Sequence, residues 1–112
     1  MSAGTRKKRA LLFQQDPKTL ALIDSVLSRK SFEIDLAADG VAGLDGASGL
    51  TPDIVIADTD YPHFSGFDVL DTIARNNLDI PVIMTGEQDA SSILSAFRSG
   101  AYDYIARPVD ET

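Results

Sequence analysis

The feature that most constrains the fold is a short apolar run, residues 54–57 (IVIA), that leads directly to the carboxylate of Asp58. A run of this length, rich in β-branched residues, is typical of a strand buried on both faces, as in a parallel sheet. Open α/β sheets place their sites at the carboxyl ends of such strands. The sequence therefore predicts that Asp58 lies where the domain does its chemistry.

The same pattern recurs along the chain, and stretches of helical periodicity separate the apolar runs. The predicted strands are residues 10–14, 33–37, 53–57, 80–84 and 104–106. Apolar stripes mark four helices at residues 20–27, 41–47, 67–74 and 93–97, and we expect Ile93 and Phe97 to be core residues. Asp16 and Pro17 predict the start of the first helix, and Gly100 the end of the fourth. Glycines at 43, 46 and 49 predict a short or loosely held second helix.

This alternation predicts an α/β fold, a flavodoxin-like doubly wound parallel sheet of five strands in the order 2-1-3-4-5. We expect one domain over residues 1–112. The chain ends at Thr112, where a fifth helix would begin, so we expect that helix to be missing or truncated. Its absence would leave apolar surface for a partner or a second copy, unless the chain is a piece of a longer protein.

Charge and composition exclude several classes of function. The chain has 17 acidic and 10 basic residues, a net charge of -7, and four of the basic residues lie in residues 6–9. We expect residues 1–9 to be a flexible basic lead-in, with a small nucleic-acid or membrane patch as the alternative. The acidic body predicts no nucleic-acid interface, and no apolar run approaches the length of a membrane span. The absence of cysteine excludes disulfides and thiolate chemistry, and we expect a cytoplasmic location.

Six segments together resemble one known family. They are residues 11–17 (LLFQQDP), 38–40 (ADG), 52–58 (PDIVIAD), 62–67 (PHFSGF), 81–86 (PVIMTG) and 100–108 (GAYDYIARP). In this order and near-family spacing, they resemble the receiver domain of two-component response regulators along nearly the whole chain. The resemblance implies a signalling module whose partner is a histidine kinase or another signalling protein.

The resemblance also implies roles for individual residues. Asp58 matches the aspartate that accepts a phosphoryl group from a histidine kinase. Thr85 matches the hydroxyl that hydrogen-bonds this group, and Tyr104 matches an aromatic residue that changes rotamer with the switch. Asp60 matches the position whose backbone carbonyl binds Mg²⁺. For Tyr104, an ordinary half-buried strand aromatic is the alternative interpretation.

The chain departs from the family pattern at several positions of the site. In the family, an acidic pair after the first strand helps to hold Mg²⁺, and a lysine after the fifth strand neutralises the phosphoryl group. Here Gln14 and Gln15 replace the acidic pair, and Arg107 replaces the lysine. The spacing from Pro81 to Thr85 is one residue shorter than usual, which leaves the register of Thr85 open. If the shortening falls in the loop before the fourth strand, Thr85 stays in place.

These substitutions weaken the case for a metal. Mg²⁺ prefers carboxylate and water oxygens, and two glutamines remove two negative charges, so we expect no cofactor or only weak Mg²⁺ binding. Asp58, Asp60 and Asp16 are the candidate Mg²⁺ ligands, although Asp16 is also predicted to cap the first helix. Arg107, or the amides of the two glutamines, could satisfy Asp58 directly; alternatively, Arg107 holds a phosphoryl group.

Three functional hypotheses follow. The first is a degenerate, pseudo-receiver-like module that is not an enzyme and acts through protein–protein contacts, with a homodimer through the face of the fourth helix and fifth strand. The second is a working phosphoacceptor at Asp58 that uses an altered Mg²⁺ site. The third is a domain that binds a nucleotide messenger, although no glycine-rich phosphate loop supports it.

Overall fold

The computed structural model describes residues 8–36, 52–61 and 64–107 of the chain. Several expectations fall outside these residues. They concern the second helix at residues 41–47, the motif at residues 38–40, most of the basic lead-in and the region from residue 108 onward, where a fifth helix would begin.

The described residues form five strands and three helices, and a described helix lies between each pair of successive strands except β2 and β3. The strands are β1 (Lys8–Phe13), β2 (Phe32–Leu36), β3 (Ile54–Asp58), β4 (Val82–Gly86) and β5 (Asp103–Ala106). The helices are α1 (Pro17–Arg29), α2 (Gly66–Arg75) and α3 (Ala90–Arg98). The four strand pairings are all parallel and give the order β2-β1-β3-β4-β5, so the predicted flavodoxin-like sheet is confirmed.

Each described helix begins at a polar cap, which explains why the chain turns into a helix at that point. Asp16, Ser65 and Asp89 each accept a hydrogen bond from the backbone N–H three residues later. At Ser65 the bond is reciprocated by Asp68, which completes a capping box. At the other end of α3, Gly100 has a φ of 107°, a conformation that favours glycine.

The fourth strand differs from its prediction by two residues. It runs over Val82–Gly86, so residues 80 and 81 precede it. The carbonyl of Pro81 accepts a hydrogen bond from Val55, an arrangement that proline permits because it needs no N–H. Thr85 is the register partner of Asp58, so the shorter spacing after Pro81 leaves this threonine beside the end of β3.

Successive residues of each strand point to opposite faces of the sheet, and their side chains form one hydrophobic core on each face. On one face, Phe13, Val55 and Met84 pack beneath α2 and α3. On the other, Leu12 and Ile56 pack with Ile23 of α1. The expectation that Phe97 is a core residue is wrong: it is 46% exposed, because no described element covers that side of α3.

Apolar side chains are exposed along α3 and β5. Leu94, Phe97 and Tyr102 lie on or beside α3, and we call them the α3–β5 face. Ile105 of β5 is exposed as well, but it alternates with Tyr104 and so lies on the other face of the sheet. At the opposite edge of the sheet, Leu36 of β2 is 62% exposed. Within the described ranges, no helix is both long and apolar enough to cross a bilayer.

Arginine side chains join strands at both ends of the sheet. At the amino ends, Arg9 of β1 contacts Glu33 and Asp35 of β2 at 2.7 and 2.6 Å. Its backbone N–H also donates to Asp53 Oδ2, just before β3. At the carboxyl ends, Arg107 directly follows β5 and reaches toward β3.

Candidate functional site

The candidate site forms where four parallel strands end side by side. Phe13 pairs with Ala57, Asp58 with Thr85, and Gly86 with Ala106. The residues at and just beyond these pairs are Gln14, Asp58, Thr85 and Arg107. The sheet thus brings the predicted site residues together at its carboxyl edge, beside the switch point between β1 and β3.

Asp58 is 7% exposed, and donors surround its carboxylate. Its Oδ1 accepts from the backbone N–H of Asp60 at 2.7 Å. Its Oδ2 accepts from Thr85 Oγ1 at 3.1 Å and from Arg107 Nη1 at 2.5 Å. Both oxygens are therefore hydrogen-bonded within the protein, one of them to a permanent cation.

Arg107 binds three carboxylates at once. Besides Asp58, its Nη2 contacts Asp60 Oδ2 and Glu87 Oε1, each at 2.9 Å. Hydrogen bonds to Asp58 and then Glu87 raise the pKa of Arg107 above its already high value, against the opposing effect of burial. The guanidinium therefore remains charged at neutral pH.

Glu87 is the one member of this cluster that the sequence did not single out. Its only signal is position: it follows the last residue of β4, at the edge where the other site residues lie. Its carboxylate is 68% exposed, so it forms the outer part of the arginine contact.

The two glutamines take different positions. Gln14 is 6% exposed and donates from Nε2 to Thr85 Oγ1 at 3.0 Å, so its amide reaches Asp58 only through Thr85. Its Oε1 finds no donor in the described part of the chain. Gln15 is exposed and lines the cavity above Asp58. Of the two alternatives for satisfying Asp58, Arg107 contacts the carboxylate directly and the Gln14 amide does not.

An open cavity of about 410 Å³ lies above the carboxylate. Its lining residues are Gln15, Asp16, Pro17, Asp58, Asp60, Tyr61 and Arg107. Asp16 is engaged as the cap of α1, because its Oδ2 accepts from Thr19 N at 2.9 Å and Thr19 Oγ1 at 2.8 Å. These two bonds lower the pKa of Asp16.

The carboxylates that could hold Mg²⁺ have other partners in this arrangement. Asp58 and Asp60 both bind the Arg107 guanidinium, and Asp16 binds the start of α1. The positions of the acidic pair carry neutral amides. Across the described ranges, no group of three or more acidic, histidine or cysteine side chains is arranged to hold a metal ion. A divalent cation here would have to displace the guanidinium first.

Tyr104 links the site to the α3–β5 face. Its hydroxyl donates to the backbone carbonyl of Glu87 at 2.7 Å, and its half-buried ring packs against the core beneath α2 and α3. Burial, followed by the nearby charge of Asp89, raises the pKa of Tyr104. Gly86 makes this position available, because a Cβ there would collide with the tyrosine hydroxyl and with Thr59 Oγ1.

Comparison with known proteins agrees with this architecture. Residues 10–112 match the family model for the response regulator receiver domain. The chain is 30% identical over 105 residues to the DNA-binding response regulator MtrA of Mycolicibacterium smegmatis, covering 93% of this chain and 46% of MtrA. It is 32% identical to the master transcriptional regulator RpaA of Synechocystis, covering 91% of this chain and 44% of RpaA.

A solved structure shows the same likeness. The crystal structure of a protein described as a response regulator from Chloroflexus aurantiacus superposes with a TM-score of 0.81 at 26% identity, covering 94% of this chain and 88% of the other.

A parallel sheet with an acidic site at its switch point defines a flavodoxin-like α/β domain. Within that class, the chain belongs to the receiver domain family of response regulators. Domains of this family are signalling modules of two-component systems rather than conventional enzymes. The chain spans under half the length of MtrA and RpaA.

Proposed function

We propose that this chain is a single receiver-type module whose output depends on protein–protein contacts and not on Mg²⁺-assisted phosphorylation of Asp58. The observation that carries the proposal is the Arg107 guanidinium, which contacts Asp58 at 2.5 Å and Asp60 at 2.9 Å. A side-chain cation thus binds the carboxylates that a divalent metal ion would need as ligands.

Charge supports this interpretation. Phosphoryl transfer to a carboxylate depends on positioning and on a cation that neutralises the transferring oxygens. Here the positions of the acidic pair are neutral, so the site has less attraction for a divalent ion than three carboxylates would supply. Asp58 accepts three hydrogen bonds, two of them at Oδ2, so that oxygen has no lone pair free to attack phosphorus while both bonds persist.

The partners we propose are a histidine kinase or another signalling protein. The α3–β5 face offers three exposed apolar side chains, and a second copy of the chain is the occupant we expect there. The net charge of -7 argues against nucleic acid as a ligand of this domain.

A cytoplasmic location belongs to the same proposal, because a cysteine-free domain of this size lacks the disulfides common in small secreted domains.

Intact mass after incubation with a small-molecule phosphodonor and Mg²⁺ tests the proposal. We expect no adduct on the folded protein, while a conventional receiver treated in parallel gains one phosphoryl group. The Asp58→Asn variant is the control for labelling elsewhere. A phosphoryl adduct on the parent chain that is absent from Asp58→Asn would contradict the proposal.

A working phosphoacceptor with an altered site is the second candidate, and weak autophosphorylation at Asp58 would be its signature. One observation favours it: Asp16, Asp58 and Asp60 line the same cavity. The two candidates differ in the response to Gln14→Asp combined with Gln15→Asp. A large gain in Mg²⁺ affinity, measured by calorimetry, supports the module that does not depend on phosphorylation. A small change supports the working phosphoacceptor, whose site would already bind the metal.

A further inference from the structure

A chain of hydrogen bonds runs through the buried floor of the site. Gln14 Nε2 donates to Thr85 Oγ1 at 3.0 Å, and Thr85 Oγ1 donates to Asp58 Oδ2 at 3.1 Å. The three residues are 6%, 0% and 7% exposed. Water has little access to these atoms, so the three side chains set the direction of the bonds among themselves.

The chemistry of the groups allows one direction only. An ionised carboxylate accepts and cannot donate, so the single hydroxyl proton of Thr85 must point at Asp58. The hydroxyl oxygen then accepts from its other neighbour, which must present an N–H. The opposite orientation of the Gln14 amide would place its oxygen against the hydroxyl oxygen with no proton between them.

The other half of the amide gains nothing from this arrangement. Gln14 Oε1 is buried and has no donor in the described ranges, a state that costs stability. The orientation of the Gln14 amide is therefore explained by the hydrogen bond that Nε2 donates to Thr85 Oγ1. An apolar side chain of similar length would fill the same space without the penalty.

We propose that Gln14 is a positioning residue, whose amide donates to the Thr85 hydroxyl oxygen and so holds this hydroxyl where its proton bonds Asp58 Oδ2 in the unmodified protein. The inference rests on the proposed function, since it explains how the acceptor is kept silent. A glutamate of the same shape could not play this part, because its carboxylate would compete with Asp58 for the one hydroxyl proton.

NMR on the unmodified chain tests the inference through the exchange rate of the Thr85 hydroxyl proton with water. In the parent chain we expect a slowly exchanging proton with a contact to the Gln14 amide protons. In Gln14→Met, which keeps the shape and burial but removes the donor, the exchange rate should rise roughly tenfold, as expected for loss of one net hydrogen bond. Gln14→Glu should behave in the same way.

Two variants serve as controls. Gln15→Glu makes the same chemical change at the exposed neighbour and should leave the hydroxyl proton unchanged, and Thr85→Ser keeps the hydroxyl and should retain slow exchange. If burial alone protects the proton, Gln14→Met will match the parent and the inference is wrong. A hydroxyl proton that exchanges too fast to detect in the parent chain overturns it as well.

The experiment separates this inference from the proposed function. No phosphodonor or Mg²⁺ is present, so a slow hydroxyl proton that depends on Gln14 supports the positioning role even if Asp58 later proves to be phosphorylated. The converse result is that Asp58 gains no phosphoryl group while the exchange rate of the Thr85 hydroxyl proton is the same with and without Gln14. That result leaves the proposed function intact and removes the positioning role.

Discussion

At the scale of single residues, the contact between Arg107 and Asp58 has the clearest energetic consequence. Asp58 is buried, and Arg107 is the only cation that contacts it in the described part of the chain. Arg107→Gln should lower the free energy of unfolding by about 1–3 kcal/mol, because a buried carboxylate loses a charge-assisted bond. Urea denaturation at neutral pH measures the change.

A double-mutant cycle gives the control for this prediction. In an Asp58→Asn background, Arg107→Gln should cost clearly less, because the buried charge is already gone. Glu87→Gln removes an exposed partner of the same guanidinium and should cost less than about 1 kcal/mol. Equal costs of Arg107→Gln in both backgrounds would show that the Asp58 contact contributes little.

Asp16 predicts a pH-dependent contribution to stability. Its bonds to Thr19 lower its pKa below the ordinary value of 3.8. A lowered pKa in the folded state means that the stabilisation is present above the unfolded-state pKa and is lost as pH falls through the folded-state pKa. Asp16→Ala should therefore destabilise the domain at pH 7.

The same variant at low pH provides the check. Below the lowered pKa the carboxyl is protonated in both states, so the difference in unfolding midpoint between parent and Asp16→Ala should shrink markedly. Denaturation midpoints at pH 7 and at acid pH give this comparison. A difference that is the same at both pH values would assign the effect to packing.

At the scale of elements, Gly86 sets the position of Tyr104 between β4 and β5. Gly86→Ala should push the tyrosine hydroxyl off the Glu87 carbonyl and destabilise the domain by about 1–3 kcal/mol, the usual cost of overpacking. Tyr104→Phe removes the colliding hydroxyl, but Thr59 remains, so the double variant should recover only part of the loss. Thermal unfolding and the ring resonances of residue 104 report the outcome; additive losses would contradict the collision.

The elements also show how far the sequence predicts this structure. The parallel sheet and its order follow from five apolar runs separated by helical stripes, and adjacent strand ends place Asp58 beside Thr85. The shift in β4 could not be predicted, because Ile80 is apolar and buried although it precedes the strand. The exposure of Phe97 depends on which element covers α3, and an apolar stripe carries no information on that.

Within the site, strand ends predict which residues meet but not how their side chains pair. Gln14 donates to Thr85 and not to Asp58, because the folded strands fix the direction in which its side chain points. Glu87 joins the cluster from the segment after β4 and belongs to no recognisable motif, so no sequence argument could have selected it.

At the scale of the whole molecule, the α3–β5 face predicts self-association. Phe97→Asp should shift the chain toward monomer in analytical ultracentrifugation, because a charge would replace a central apolar contact of the proposed dimer. Leu36→Asp is the matched control, since Leu36 is an exposed apolar residue at the opposite edge of the sheet. A parent chain that stays monomeric at high concentration, or an equal effect of both variants, would contradict the proposed dimer.

The position of Arg107, one residue beyond the edge strand β5, has a kinetic consequence. Its backbone N–H bonds to Gly86 of β4 while its guanidinium holds Asp58 of β3, so fraying of β5 withdraws the counter-charge from the acceptor. Edge strands open more readily than central ones. Loss of the Arg107 contact is therefore coupled to local unfolding of the sheet edge: conditions that speed amide exchange in β5 should also speed reaction at the Asp58 carboxylate.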